Sequence, residues 1–286
     1  MEPSVARRMW RLLEPYHAVI YFAPEARERY EAAGLRGGWM GYFASRGAAL
    51  GPVSAGVIIA TFYNFHPNIV RRAIPDAWRY SSPEKVLAAR YDAADAALRR
   101  LLGEEVGADA IQQASALAKA SALACTPEGR PLFAAHAVLD WPTEPHLVLW
   151  HAATLLREFR GDGHVAALVS HQIDGCEAHV LVAAAGVVPA EMLREFRWWS
   201  EEEWDAAAGR LQGRGLLDGA GALTPEGKEL RRAIEYLTDV LALPPFAALG
   251  DEDCRKLEDL MEPMVARIHA SSGVLYPNPI GLPIPA

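Results

Sequence analysis

Cysteine is scarce and poorly placed for chemistry. The three residues, Cys125, Cys176 and Cys254, are far apart, odd in number and form no C-x-x-C pair. That pattern excludes a disulfide framework and a thiolate zinc site, and it predicts reduced thiols in a cytoplasmic protein. Basic charge is also short, with 28 Lys and Arg against 36 Asp and Glu and a net charge of −8. Duplex binders draw affinity from neutralised phosphates and carry a basic stripe, which no segment here supplies. Adjacent arginines such as Arg71-Arg72 and Arg99-Arg100 read as solvated helix faces.

Metal and nucleotide motifs are missing as well. The chain has no H-E-x-x-H, no calcium loop, no Walker loop and no G-x-S-x-G elbow. No metal site is expected, and no cofactor is identified. A haem on His17 or His66 lacks any C-x-x-C-H support. Long apolar runs are absent too. Residues 47–65 are uncharged for nineteen positions, but Gly51, Pro52, Ser54, Gly56 and Asn64 interrupt them. They read as a buried core helix after a turn, not a membrane span. The opening M-E-P-S-V-A-R-R-M-W-R lacks the apolar core of a signal peptide.

What is present is helix. Hydrophobic residues make up 51% of 286 positions, which is enough for two units or one large one. Apolar spacing and stop signals predict a mainly α protein. A first helix covers residues 4–13, and Ser82-Pro83 launches a long helix to Leu102. Further helices span 109–124, 146–159, 164–171, 175–185, 200–212, 224–243 and 251–270, ahead of an irregular tail holding Pro277, Pro279, Pro283 and Pro285. Residues 140–145 carry two prolines and mark the boundary. A helical domain of residues 1–139 is therefore expected to pack on a second domain of residues 146–286.

The second half has a recognisable outline. From Ser200, S-E-E-E-W-D-A-A-A-G-R-L-Q-G is a capped helix, and R-G-L-L-D-G-A-G-A-L-T-P-E-G-K-E-L supplies two short strands and a new helix. This segment resembles the recognition helix, wing and following helix of MarR-type winged-helix proteins. The whole chain resembles an uncharacterised actinobacterial helix-turn-helix-like family. The resemblance implies a winged-helix-like domain with a short two-stranded wing, and in that family such domains read DNA. Here the recognition helix opens with Glu201, Glu202, Glu203 and Asp205, and residues 199–242 hold nine acids against five bases. The tip Asp218-Gly219-Ala220-Gly221 lacks a base for a minor groove. Carboxylates facing phosphates repel, so the winged helix is expected not to serve DNA.

The densest chemistry falls at residues 155–164, L-L-R-E-F-R-G-D-G-H. The Gly161-Asp162-Gly163 run reads as a helix end, with Asp162 capping a new helix at His164. His164 is then a candidate general acid or base, Asp162 or Glu158 orients it, and Arg157 or Arg160 holds a substrate anion. A cap-and-bridge corner with no catalytic role is the competing reading. His151 shares a helical face with Thr154 and Glu158, and as a lone histidine beside Trp150 it reads first as a hydrogen-bonded core residue. Aromatic clusters in the first half present His17, Tyr21 and Tyr63, as a wall for a flat ligand or as plain core.

The chain is thus expected to be a cytoplasmic small-molecule-binding protein with a pocket between its halves. Its catalytic form would be a cofactor-independent acid/base or hydrolytic enzyme. The rival is a ligand-responsive winged-helix transcriptional regulator, and a non-catalytic scaffold is a third reading. The expected partner is a small molecule, with a homodimer left open and with neither nucleic acid nor membrane involved.

Overall fold

The computed structural model describes residues 1–283, so Pro285 of the expected irregular tail lies outside the described residues. The first half contains α1 (Ser4–Phe22), α2 (Pro24–Ala32), α3 (Gly37–Gly47), α4 (Ala55–Phe62), α5 (Pro67–Ala73), α6 (Ala77–Tyr80), α7 (Pro83–Leu102), α8 (Asp109–Leu123) and α9 (Pro131–Ala137). Then come α10 (Pro145–Ser170), α11 (Gly175–Ala184), α12 (Ala190–Arg197), α13 (Glu201–Gly213), α14 (Pro225–Ala242), α15 (Pro244–Leu249) and α16 (Asp251–Ala270). Proline sits in the first turn of α2, α5, α7, α9, α10, α14 and α15, where no intrahelical donor is needed and its fixed φ suits entry. Side-chain caps by Ser82, Asp174, Ser200 and Thr224 fix the starts of α7, α11, α13 and α14.

Three helices depart from the sequence expectation. α1 continues through Pro15 to Phe22, where a stop at Leu13 was expected. An interior proline costs about 3 kcal/mol. The helix offsets it by burying Met9, Leu13, Tyr16 and Ile20 on one stripe, each contributing about 1.5–3 kcal/mol. α4 is not a buried core helix but an amphipathic one. It buries Ile58 and Phe62 and leaves Val57 and Ala60 exposed.

The third departure bears on the site. α10 runs unbroken for 26 residues through Gly161-Asp162-Gly163, so no corner forms and no helix starts at His164. Two interior glycines cost only about 1 kcal/mol each. Against that, α10 packs on α1, α8, α9 and α14 and buries apolar residues from Leu147 to Leu168. Among the described residues no single helix is long and apolar enough to cross a membrane.

Two hydrophobic cores share α10. The larger one joins α1–α9 to the first two-thirds of α10, and α15 and α16 return in space to complete it. The smaller one is built from the end of α10, α11, α13, the following hairpin and α14. α11 and α13 pack together, as in a helix-turn-helix unit.

The expected two-stranded wing does not form a sheet. Among the described residues the hairpin has one antiparallel bridge, Leu217 with Leu223, backed by Asp218 N–H donating to Ala222 O at 2.9 Å. Two or three apolar residues per arm, next to Gly219 and Gly221, are too few for a lasting ladder. Asp218 Oδ1 instead accepts from the N–H groups of Ala220 and Ala222 and closes the tip as a turn.

Candidate functional site

Where the two cores meet there is a cavity of about 490 Å³. α1, α3, residues 62–65 and α10 wall one side, and α11, α12, α14 and the tail near Pro279 wall the other. Its apolar lining includes Val165, Leu168, Leu181, Val182, Leu193 and Ile234. Its polar lining is dominated by arginine.

Glu158 is the hub of the polar wall. Its carboxylate accepts from Arg46 Nη2 at 3.2 Å and from Arg157 Nη1 at 2.7 Å, and it is 1% exposed. Burial alone would raise its pKa, but the two guanidiniums outweigh burial and hold it well below the usual carboxylate range. Arg157 also lies 3.5 Å from Glu14, whose carboxyl is pushed up because burial exceeds the pull of that guanidinium. Arg160 pairs with Asp239 at 2.7 Å, and Asp239 also pairs with Arg7. These arginines are committed to carboxylates.

Asp162 does cap a helix, but not one at His164. Its Oδ2 accepts from Leu132 N–H at 3.0 Å and Phe133 N–H at 2.9 Å, the free donors at the start of α9. Burial raises its pKa to about 6 against the opposing effect of those donors. His164 lines the cavity without a carboxylate hydrogen-bonded to its ring, and its side-chain partner is Thr238 at 2.9 Å. The Thr238 hydroxyl already donates to Ile234 O at 2.7 Å. It must therefore accept from His164 Nδ1–H, which leaves Nε2 as the lone-pair nitrogen. Burial lowers the imidazole pKa to about 4, so it is neutral near pH 7.

Of the residues singled out from sequence, Arg157, Glu158, Arg160, Asp162, His164 and Tyr63 line the cavity. Tyr63 is held there by its hydroxyl, which donates to Ile173 O at 2.5 Å. His17, Tyr21 and His151 lie behind the wall, in the larger core. Thr154 donates to Trp150 O and so accepts from His17 Nδ1–H, while Tyr21 donates to His17 Nε2 at 2.8 Å. His17 is thus a neutral, fully bonded core histidine, its pKa lowered by burial. His151 bonds Tyr91 through Nδ1 at 2.8 Å, and burial lowers it to about 3.

Arg46 and Arg197 are among the cavity residues that the sequence reading did not single out. Arg197 ends α12, is 7% exposed, and stacks 4.4 Å over Phe65. It donates to Pro279 O at 2.8 Å and, at the limit of 3.5 Å, to Phe196 O. One signal was present in the sequence. The pentapeptide L-R-E-F-R occurs at residues 156–160 and again at 193–197, and the last arginine of both copies reaches the cavity.

The would-be recognition helix α13 is anchored at the end that would approach bases. Glu203 bonds His66 Nε2 at 2.8 Å, and Trp199 Nε1–H donates to Asn64 O at 3.1 Å. Its exposed residues are Glu201, Glu202, Asp205, Ala206, Gly209, Arg210, Gln212 and Gly213, and its single base, Arg210, is bonded to Asp174 and Glu177.

Neither a curated protein nor a solved structure matches the chain. A family model described as a helix-turn-helix family matches residues 6–275. With the α11–α13 unit lying inside a match that spans nearly all of both cores, the chain belongs to that helix-turn-helix family.

Proposed function

We propose that this chain binds a small molecule in the cavity between its two cores. The observation that carries the reading is the cavity itself, about 490 Å³, walled by both cores with apolar side chains and a few converging polar groups. That volume and lining are typical of ligand sites. If the bound molecule is turned over, His164 Nε2 is the group placed to take a proton, since Glu158 and Asp162 are committed to other partners. A cytoplasmic setting agrees with three free cysteines. The test is native mass spectrometry for co-purifying molecules, followed by a thermal-shift screen. Filling the cavity with Val165→Trp should abolish any shift the wild type shows. Shifts that survive the tryptophan would sink the reading.

Membership of a helix-turn-helix family favours a second reading, a ligand-responsive regulator in which α11–α14 form a MarR-type winged helix. The acidic outer face of α13 and its anchoring through Glu203 weigh against duplex binding. A gel-shift assay at low salt decides between them. Retention of duplex DNA by micromolar protein, weakened or strengthened by a cavity ligand, would establish the regulator.

A further inference from the structure

Among the described residues, one buried positive charge in the cavity has no carboxylate partner. Arg7, Arg46, Arg157, Arg160 and Arg231 all pair with Glu or Asp, and Arg11 is exposed to water. Among the described residues Arg197 has only the carbonyls of Phe196 and Pro279 as acceptors, although it is 7% exposed. A buried cation without a counter-charge is strongly destabilising, and most proteins avoid one unless something else supplies the anion. Burial lowers the Arg197 pKa to about 10, with Arg46 and Arg157 adding repulsion, and it remains charged near pH 7.

A second group on the same wall is also unfinished. Arg46 spends Nη1 on Tyr42 and Nη2 on Glu158, while its Nε, like that of Arg197, is buried with no acceptor. Arg46 lies 4.2 Å over Phe62 and Arg197 4.4 Å over Phe65, and those two rings are 6.5 Å apart. Both arginines line the cavity, and the charge of Arg46 adds to the lowering of the Arg197 pKa. Glu14 also lines the cavity, and burial raises its pKa more than the Arg157 guanidinium lowers it.

Resting on the reading of the cavity as a ligand site, we propose that its ligand is an organic carboxylate. The anionic group seats on Arg197 with Arg46 alongside, and the apolar body lies against Val165, Leu168, Val182 and Leu193. Guanidinium is the side chain best matched to a planar carboxylate. A single unanswered charge suits a monoanion. A phosphate monoester, with about two charges, would leave one unmatched.

The test compares matched probes on the full-length wild type by calorimetry: 1-naphthoate, 1-naphthalenemethanol and 1-naphthyl phosphate, together with decanoate and decanol. At least one carboxylate should bind at least tenfold more tightly than its alcohol, and naphthoate no less tightly than the phosphate. Arg197→Met should remove that preference and Arg197→Lys should keep part of it. The wild-type comparison stands even if a variant folds poorly. Equal binding of acid and alcohol, both lost in Val165→Trp, would overturn the carboxylate inference and leave the cavity reading intact. A tenfold preference for the phosphate would overturn the monoanion. Absence of binding by every probe at millimolar concentration would overturn both the inference and the reading beneath it.

Discussion

Arg130 occupies the space that a side chain at position 163 would fill: a Cβ built on Gly163 would collide with the Arg130 Nη1. From that position the guanidinium donates to Phe159 O of α10 and, at 2.9 Å, to Leu241 O of α14. The glycine that suggested a helix end thus lets one arginine tie two helices together. Gly161, two positions earlier, meets only Glu158 at an ordinary 3.7 Å.

The two glycines should therefore respond in opposite ways to alanine. Gly161→Ala removes an interior helical glycine without a clash and should stabilise by about 0.5–1 kcal/mol. Gly163→Ala gains the same propensity but must expel Arg130, and should destabilise by about 1–3 kcal/mol. Urea unfolding of both variants measures the difference. If Gly163→Ala proves as benign as Gly161→Ala, Arg130 is not the reason for the glycine.

These positions also show where sequence reasoning stopped. Local rules work for local structure: Ser82-Pro83 starts α7, and the Ser200–Glu203 capping box starts α13 with both of its bonds made. They fail where a distant partner decides the outcome. Nothing near Gly163 indicates that Arg130 will pack against it. Nothing near Arg46 indicates that its carboxylate lies 112 residues away at Glu158. That Arg197 has no carboxylate partner among the described residues is visible only once every other buried cavity arginine has been matched.

Acid should unfold this protein steeply. Burial lowers His136 to about 4, His151 to about 3 and His179 to about 3. In the unfolded chain each imidazole titrates near 6.5, so between about pH 6.5 and 4 the unfolded state holds the extra protons. Stability must then fall as pH falls through that window. One such group changes stability by about 1.4 kcal/mol per pH unit, so these three change it by about 4 kcal/mol per unit, with His17 and His164 adding to the slope and Asp162, raised to about 6, opposing it. A typical stability of about 5–15 kcal/mol would be consumed within a few units. Urea titrations from pH 7 to 4.5 should show this slope, and His136→Asn should reduce it by about 1.4 kcal/mol per pH unit. A flat profile would mean that these imidazoles accept protons in the folded state.

The anchoring of α13 makes a separate prediction. Glu203 completes the capping box with Ser200 and also bonds His66, so Glu203→Ala removes a cap interaction and a hydrogen bond to the first half of the chain together. The expected cost is about 1–2 kcal/mol. Glu202→Ala on the exposed neighbouring position should cost clearly less than Glu203→Ala. Equal effects of the two substitutions would show that the Glu203–His66 contact contributes nothing to holding the unit in place.

Arg197 offers the sharpest contrast between structure and function. A residue that merely straps the tail through Pro279 O should, on conversion to methionine, cost about 1 kcal/mol for the lost hydrogen bond. A residue kept for an anion behaves differently. Methionine fills a similar volume, retains apolar contact with Phe65, and relieves a buried charge that has no carboxylate partner among the described residues. Replacing unfavourable buried charge by hydrophobic side chains is often neutral or stabilising. Arg197→Met without ligand should therefore melt at or above the wild-type temperature, and a saturating carboxylate that raises the wild-type Tm should leave that of the variant unchanged. A loss of several degrees in the ligand-free variant would identify Arg197 as a structural strap, because the charge would then have been stabilised by the fold itself.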